Sequence, residues 1–328
     1  MLNLVLVGAG GIARRHFAAL QTIPAAHIVG VVDTVRERAA VMAAECGAQP
    51  YASLSDCLEQ ADVVYVLTPP STHRELAVTA LQAGRPVVCE KPLATSLADA
   101  EAMVQAAAQA DVQLITTFNM RFRKGFRRLK ETIEAGQLGD VLSLWSQRLG
   151  MGVGQGYNWR TDPNLLCGMS VESLSHDIDL LRWLGGEVRD VRAITRESRA
   201  DLPGFDDNSS VLLGLESGAS AMIHASWSSH LASNSRGVVG TLGTAMIEGP
   251  GLWDARHFRL KTADMQEELI AVLNDPLDQA SYTAENRHFI ECLEQGRPAS
   301  VSGVDGLRAL RISHAILESS HTGEVVKL

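Results

Sequence analysis

Leu2-Asn3-Leu4-Val5-Leu6-Val7-Gly8-Ala9-Gly10-Gly11-Ile12-Ala13 is the stretch that decides the fold. Its apolar run reads as a buried strand, and residues 8–13 fit Gly-x-Gly-x-x-Ala directly ahead of a helical pattern. Gly8 allows the tight turn, Gly10 lets the backbone approach a pyrophosphate, and Ala13 keeps the helix close to the strand. The helix N-terminus, with Gly11 and Ile12 in its first turn, attracts the anion. The pattern alone is weak. Its context strengthens it, because the second strand ends in Asp33, 20 residues after Ala13. An acid there accepts hydrogen bonds from a ribose diol and repels a 2′-phosphate, which favours NAD over NADP. Arg36 and Arg38 nearby keep NADP in view. The competing reading is a glycine turn in some other α/β protein, with Asp33 capping a loop.

Working outward, residues 1–120 alternate short apolar runs with helical patterns, as in a parallel sheet covered on both faces. Strands are expected at Leu2–Val7, His27–Asp33, Val63–Thr68, Pro86–Cys89 and Gln113–Phe118. Helices are expected at Ala13–Leu20, His73–Ala83 and Leu97–Ala110, the last with Thr95 or Ser96 as N-cap. Beyond Asn119 the texture changes. A basic helix runs from Arg123 to Ala135, a strand covers Val141–Leu149, and a glycine-rich loop leads to a helix from Ser170 to Leu184. From Val188 to Leu260 the pattern is mostly β, with Ser210–Glu216 and Ala219–Ser228 paired around a turn and Gly237–Glu248 as a further strand. Two helices separated by Gly296-Arg297-Pro298 fill Thr283–Ser320. One cut near residue 120 then gives a domain 1–120, which carries the dinucleotide fingerprint, and a second domain, 121–328.

Composition narrows the partners. At 46% apolar and 20% charged, the chain has the balance of a packed globule. Its 29 Lys and Arg stand against 38 Asp and Glu, a net charge of −9, so the basic footprint of a nucleic-acid binder is missing. The longest uncharged stretch, Ser217 to Ser235, is rich in serine and holds His224 and His230, which does not suit a bilayer. The amino terminus has no basic region before its apolar run, so no signal peptide is expected. Cys46, Cys57, Cys89, Cys167 and Cys292 form no Cys-x-x-Cys pair and read as free thiols in a reducing compartment. The expectation is a cytoplasmic protein with a small-molecule partner, without nucleic acid or membrane.

Two further segments set the class. Thr68-Pro69-Pro70-Ser71-Thr72-His73 follows the third strand and Glu90-Lys91-Pro92 follows the fourth. With the glycine fingerprint, Asn119-Met120-Arg121-Phe122, Gly139, Trp159-Arg160, His176-Asp177-Ile178-Asp179 and the tail Val301–Leu328, they make the sequence resemble the oxidoreductase family named after glucose–fructose oxidoreductase, inositol dehydrogenase and the rhizopine-catabolism protein MocA (Gfo/Idh/MocA). The resemblance implies an α/β Rossmann domain, a doubly wound parallel sheet, followed by an α+β domain on a large, mainly antiparallel open-faced sheet, which serves substrate binding and oligomerisation. It also implies a nicotinamide ring in the cleft between domains, with Lys91 on the cofactor ribose and the reacting hydroxyl. His176 would be the acid/base, Glu172 would complete the catalytic set, and a homodimer or homotetramer would form through the second sheet. The expected cofactor-binding residues are Gly8, Gly10, Gly11, Ile12, Ala13, Asp33, Thr68, Pro69, Pro70, His73, Glu90 and Lys91. Two departures stand out. Glu172 occupies a position that is usually Asp, and Cys167-Gly168-Met169 replaces the usual run of glycines. The extra methylene moves the carboxylate, and misplacements near 1 Å cost about 100-fold in rate.

Read without the family, a continuous helix turning ~100° per residue places Glu172, His176, Asp179 and Trp183 within a ~60° sector. Val171, Leu174, Ile178 and Leu181 lie on the opposite side, against the core. Three readings compete for the polar sector: general acid/base chemistry, a solvated face, and a metal pair of Glu172 and His176 that has no obvious third ligand. Oxidation of a secondary alcohol removes a weakly acidic proton while hydride leaves the same carbon. A neutral imidazole takes that proton near pH 7, and the ammonium of Lys91 stabilises alkoxide character. Asn119, Arg121, Tyr157, Trp159, Arg160 and Asp179 are candidates for the substrate side, with Trp159 and Arg121 equally readable as structural. His16 and His73 read as groups that pack near the cofactor. Arg121, Arg148 and Arg160 could bind one carboxylate, but no arginine cluster marks a diphosphate-sugar pocket, which tilts the reading towards neutral polyols. The expected function is hydride transfer between NAD and a sugar, inositol or related polyol. A glycosidase that oxidises its ring transiently and eliminates the glycoside, and a non-catalytic NAD-binding regulator, are the alternatives.

Overall fold

Strands buried on both faces build the first sheet, and they can be named directly. In a computed structural model, residues 1–152, 159, 162, 165, 167–271 and 279–328 are described. The first part runs β1 (Leu2–Val7), α1 (Gly11–Leu20), β2 (Ala26–Val32), α2 (Arg36–Ala44), β3 (Gln49–Tyr51), β4 (Val63–Val66), α3 (His73–Gln82), β5 (Val87–Cys89), α4 (Leu97–Ala110) and β6 (Leu114–Thr116). The strands pair in parallel in the order β3-β2-β1-β4-β5-β6. Every residue of β4 and β5 is buried, which is why these strands read as unbroken apolar runs. Five strands and three helices lie where the sequence places them, and Ser96 caps α4 by accepting from the Asp99 N–H at 3.2 Å. β3 was not expected. It is three residues long, pairs only with β2 at the sheet edge, and carries no apolar alternation to announce it.

The second part runs α5 (Lys124–Glu134), β7 (Val141–Met151), α6 (Gly168–Glu172), α7 (Leu174–Gly185), β8 (Val188–Arg196), β9 (Asn208–Leu215), β10 (Ser220–Ser226), β11 (Ser228–Gly240), β12 (Gly243–Gly249), β13 (His257–Thr262) and β14 (Glu268–Ala271). The chain ends with α8 (Gln279–Glu294), α9 (Gly303–Thr322) and β15 (Val326–Lys327). The second sheet is ordered β14-β13-β12-β11-β7-β10-β9-β8-β15, with β7 and β10 parallel and all other neighbours antiparallel. Gly237–Glu248, expected as one strand, is a hairpin. The turn residues Thr241 and Leu242 donate their N–H groups to Asp140 O and Leu138 O, so the reversal is held by the preceding loop. One face of this sheet packs under helices, with Leu144, Ala221, Ile223, Val211, Leu213, Val238 and Ile247 buried. On the other face, Leu212, Met222, Trp145, Gly237 and Met246 lie in one cross-strand row, with Leu212 53% and Met222 50% exposed.

The chain divides into two compact units: Met1–Asn119 with Leu277–Leu310, and Met120–Pro276 with Arg311–Leu328. A single cut near residue 120 assigns α8 to the second domain, whereas its contacts are with the first unit. Asn286 meets His16, Gln279 Nε2 donates to Arg15 O at 3.0 Å, and Glu294 pairs with the amino terminus at 2.7 Å. A sequence reading cuts where texture changes, and a returning helix leaves no such mark. Among the described residues, no helix is long and apolar enough to cross a membrane.

Candidate active site

In the first unit, the loops after β1 and β4 meet where the strand order reverses, the usual ligand crevice of such sheets. Gly8 has φ +104°, and a Cβ there would stand 2.6 Å from Leu67 O, so the turn demands glycine. A Cβ at Gly10 or Gly11 would meet no atom of another described segment within 4 Å. Helix α1 starts with no side chain capping it, and Arg14 N–H to Gly10 O at 3.1 Å is its first backbone bond, so the amides around Ile12 and Ala13 form a cradle for an anion. Asp33 accepts from the Ala9 N–H and the Val35 N–H, both at 2.8 Å. It therefore ties the glycine turn to the end of β2, and each oxygen keeps a lone pair for a ribose hydroxyl. These residues fit a dinucleotide.

Two fully buried histidines hold the Glu90-Lys91-Pro92 loop. His16 Nε2 lies 3.0 Å from Glu90 Oε1, and His16 Nδ1 accepts from Asn286 Nδ2 at 3.0 Å. Glu90 Oε2 accepts the Lys91 backbone N–H at 3.0 Å. Burial would raise the Glu90 carboxyl, but the His16 contact and the Lys91 charge outweigh it and hold it below its ordinary value. His73 Nε2 lies 2.9 Å from Thr68 O, and its Nδ1 lies 3.1 Å from Pro92 O. Burial lowers the His73 imidazole from its ordinary value against the pull of these carbonyls. Of the residues expected to bind the cofactor, Glu90, His73 and Pro70 are buried supports, and Lys91, Thr68 and Pro69 are half-buried. Asn119 is buried and donates to Ser281 Oγ at 3.3 Å.

In the second unit, the helix expected from Ser170 to Leu184 is broken at Ser173, so the sector drawn through Glu172 and His176 spans two helices. Competing donors explain the break. Ser175 Oγ donates to Glu172 O at 2.9 Å, and Arg148 Nη2 donates to Ser173 O at 3.2 Å. Asp206 caps the start of α6 through the Ser170 N–H at 3.0 Å and the Ser170 hydroxyl. Beneath α7 lies a buried charge cluster. Asp177 Oδ2 accepts from Arg148 Nη2 at 2.7 Å, while Oδ1 accepts from Ser146 Oγ at 2.7 Å and from Arg236 Nη2 at 3.1 Å. Burial would raise Asp177, but the two guanidiniums and the hydroxyl outweigh it and hold it below the usual carboxylate range. Burial pushes the Arg236 guanidinium down to about 10, against Asp177 and with Arg148.

The candidate substrate residues separate. Arg121 and Asp179, both buried, pair with each other, Nε to Oδ2 at 2.8 Å. Glu172 is buried, Trp159 is half-buried, and Tyr157 and Arg160 lie outside the described residues. On α7, the residues other than His176, Trp183 and Gly185 are buried. Among the described residues, no group of three or more His, Cys, Asp and Glu could hold a metal ion. The sequence reading missed Trp253, whose ring meets the His176 ring edge-on at 5.7 Å. A lone tryptophan in a glycine-rich loop gives no periodic signal.

A glycine turn that leads into an uncapped helix at the reversal point of a parallel sheet is the arrangement of a dinucleotide-binding protein. Residues 2–118 match the model of an oxidoreductase family with an NAD-binding Rossmann fold, and residues 126–246 match a GFO/IDH/MocA C-terminal domain. The chain is 30% identical to a D-apiose dehydrogenase of Paraburkholderia graminis, over 98% of this chain and 88% of that protein. It is 29% identical to a myo-inositol 2-dehydrogenase of Thermotoga maritima, over 100% and 98%. An aldose-aldose oxidoreductase from Caulobacter crescentus, solved with glycerol, superposes with a TM-score of 0.88 at 27% identity, covering 100% of this chain and 99% of that one. The chain belongs to the Gfo/Idh/MocA family of oxidoreductases, and its Rossmann unit binds NAD.

Two substitutions test these sites. Gly10→Ala places a methyl group where no protein atom stands, so stability changes by no more than about 1 kcal/mol. The same methyl intrudes on the anion cradle and weakens NAD binding about tenfold or more by titration calorimetry. Asp177→Asn leaves two buried guanidiniums without their counter-ion and costs about 3–5 kcal/mol at pH 7 by denaturant unfolding. The folded-state pKa of Asp177 is depressed, so its stabilisation is present above the unfolded value of about 3.9 and disappears as pH falls through the folded one. Below about pH 4 the wild type therefore loses stability more steeply than the Asn variant.

Proposed function

We propose that this enzyme transfers hydride between NAD and a secondary alcohol or ketone carbon of a sugar, an inositol or a related polyol. His176 is the acid/base and Lys91 assists it. The observation that carries the reading is the contrast along α7. Ser175, Asp177, Asp179 and Arg182 are all buried, while His176 is half-exposed. A helix that buries four polar or charged side chains and leaves an imidazole open presents a proton-transfer group rather than a solvated face. His176 Nδ1 is buried, which leaves Nε2 to exchange the proton. NAD, when bound, supplies the hydride acceptor. In the oxidative direction the C–H bond breaks with its electron pair, the hydroxyl proton passes to the imidazole, and the carbinol becomes a carbonyl. Lys91 stabilises negative charge on the oxygen as the proton leaves. The relatives named for apiose and inositol support a polyol substrate.

His176→Asn removes the proton acceptor while keeping a hydrogen-bonding side chain. Turnover, followed as NADH absorbance at 340 nm with inositols and aldoses, is expected to fall by about 10²–10⁴ while NAD affinity is unchanged. Turnover near wild type would remove His176 from the mechanism. Net NADH formation also separates this reading from a glycosidase that regenerates its cofactor.

We further propose that the open face of the second sheet joins copies of the chain into a dimer or tetramer. Leu212 and Met222, adjacent across β9 and β10 and each about half exposed, support this reading, because an apolar row left in water is costly. The double variant Leu212→Asp, Met222→Asp is expected to sediment as a monomer. An unchanged mass would place the interface elsewhere.

A further inference from the structure

Trp253 lies in the connection between β12 and β13, and the surrounding loop is unusually well pinned for an exposed segment. Its backbone O accepts from Arg123 Nη1 at 3.3 Å. The carbonyls of Gly251 and Asp254 both accept from the side-chain amide of Asn234, which is buried. Asn234 Oδ1 in turn accepts from Arg236 Nη1 at 3.2 Å, so the loop is tied to the charge cluster under α7. Arg256 N–H to Glu248 O at 2.8 Å closes the loop onto β12.

The indole is held as firmly as its backbone. The guanidinium carbon of Arg148 stands 4.0 Å from the ring centroid, a close cation–π stack, and the His176 ring meets the indole edge-on at 79°. Trp253 is nevertheless 38% exposed. One face of a large aromatic stands against a cation, the ring lies nearly perpendicular to the imidazole proposed for proton transfer, and more than a third of the residue stays accessible to solvent. Arg148 itself is fully buried, and among the described residues its Nε and Nη1 have no hydrogen-bond partner. Asp177 is one carboxylate shared by two guanidiniums, so the cluster carries an excess positive charge that the indole covers.

We propose that Trp253 is the platform on which the ring of a neutral sugar or polyol stacks beside His176, and that by covering Arg148 it excludes acidic sugars. This rests on the polyol reading above and adds the residue that selects within that class. An aromatic face receives the C–H face of a sugar ring, and a flat, fixed indole does so at little entropic cost. With the indole gone, a buried cation with unmet donors becomes reachable, and a carboxylate is the group that it would bind.

The test compares wild type, Trp253→Ala and Trp253→Phe, using myo-inositol and D-glucuronate as probes in the presence of NAD. The alanine variant is expected to lose about tenfold or more in KM for myo-inositol and to gain D-glucuronate binding, while NAD affinity stays constant. The phenylalanine variant, which keeps a ring over the guanidinium, is expected to return both values towards wild type. A folded alanine variant with an unchanged preference between the probes overturns the proposal, as does a wild type that already favours D-glucuronate. If the wild type oxidises neither probe, nor any of the inositols and aldoses tested above, the polyol reading is the one that fails. Titration calorimetry of D-glucuronate against the same three proteins still decides whether the indole excludes acids, and equal binding by all three overturns that claim.

Discussion

The carboxylate of Asp177, placed between the buried guanidiniums of Arg148 and Arg236, is the contact on which the second unit depends. Two cations taken from water are costly, and a single anion with a hydroxyl partner offsets only part of that cost. Everything nearby is shaped by the balance. Arg148 uses its remaining reach on Ser173 O, which helps to break the helix and sets the start of α7. Arg236 reaches Asn234, which fixes the loop of Trp253. His176, one residue before Asp177, is aimed by a side chain that is itself locked. The placement of the imidazole thus follows from a buried charge cluster beneath the same helix.

The first unit solves the same problem differently. Lys91 sits half-buried just after β5. The chain immobilises the loop on both sides of it. His16 grips the Glu90 side chain from α1, and His73 meets the carbonyls of Thr68, Pro92 and Leu93 from α3. Both rings come from helices that follow the ligand-facing loops, so the glycine turn, the Thr68 turn and the lysine loop are braced as a set. Asn286 on α8 orients His16, which explains why a helix from late in the chain belongs to this unit.

The parts of the molecule legible in the sequence are those governed by local rules. β1, α1 and β4 follow from apolar runs, a glycine turn and helical spacing, and the prediction of Asp33 at the end of β2 needed only a count of residues. The Ser170–Leu184 segment shows where local rules stop. Its periodicity is helical throughout, and the break at Ser173 comes from Arg148, a residue on β7 that the helical pattern does not contain. Arg121 and Asp179 looked available for substrate because nothing in the chain marks two charges 58 positions apart as partners. β3 and the Thr241–Leu242 turn escaped because pairing and neighbouring carbonyls create them, not their own side chains. Trp253 escaped for the same reason, since its meaning depends on the cation beneath it.

The excess charge of the cluster also explains why an indole, and not a second carboxylate, lies over Arg148. A carboxylate there would complete the ion pairs, yet it would place a second titratable group directly beside His176. An aliphatic side chain would bury the cation with nothing to offset its desolvation. The face of a tryptophan attracts the cation through its quadrupole and carries no titratable group. Among ordinary side chains it meets these two demands best. A ring that cannot ionise thus screens the cation that lies beside the His176 imidazole.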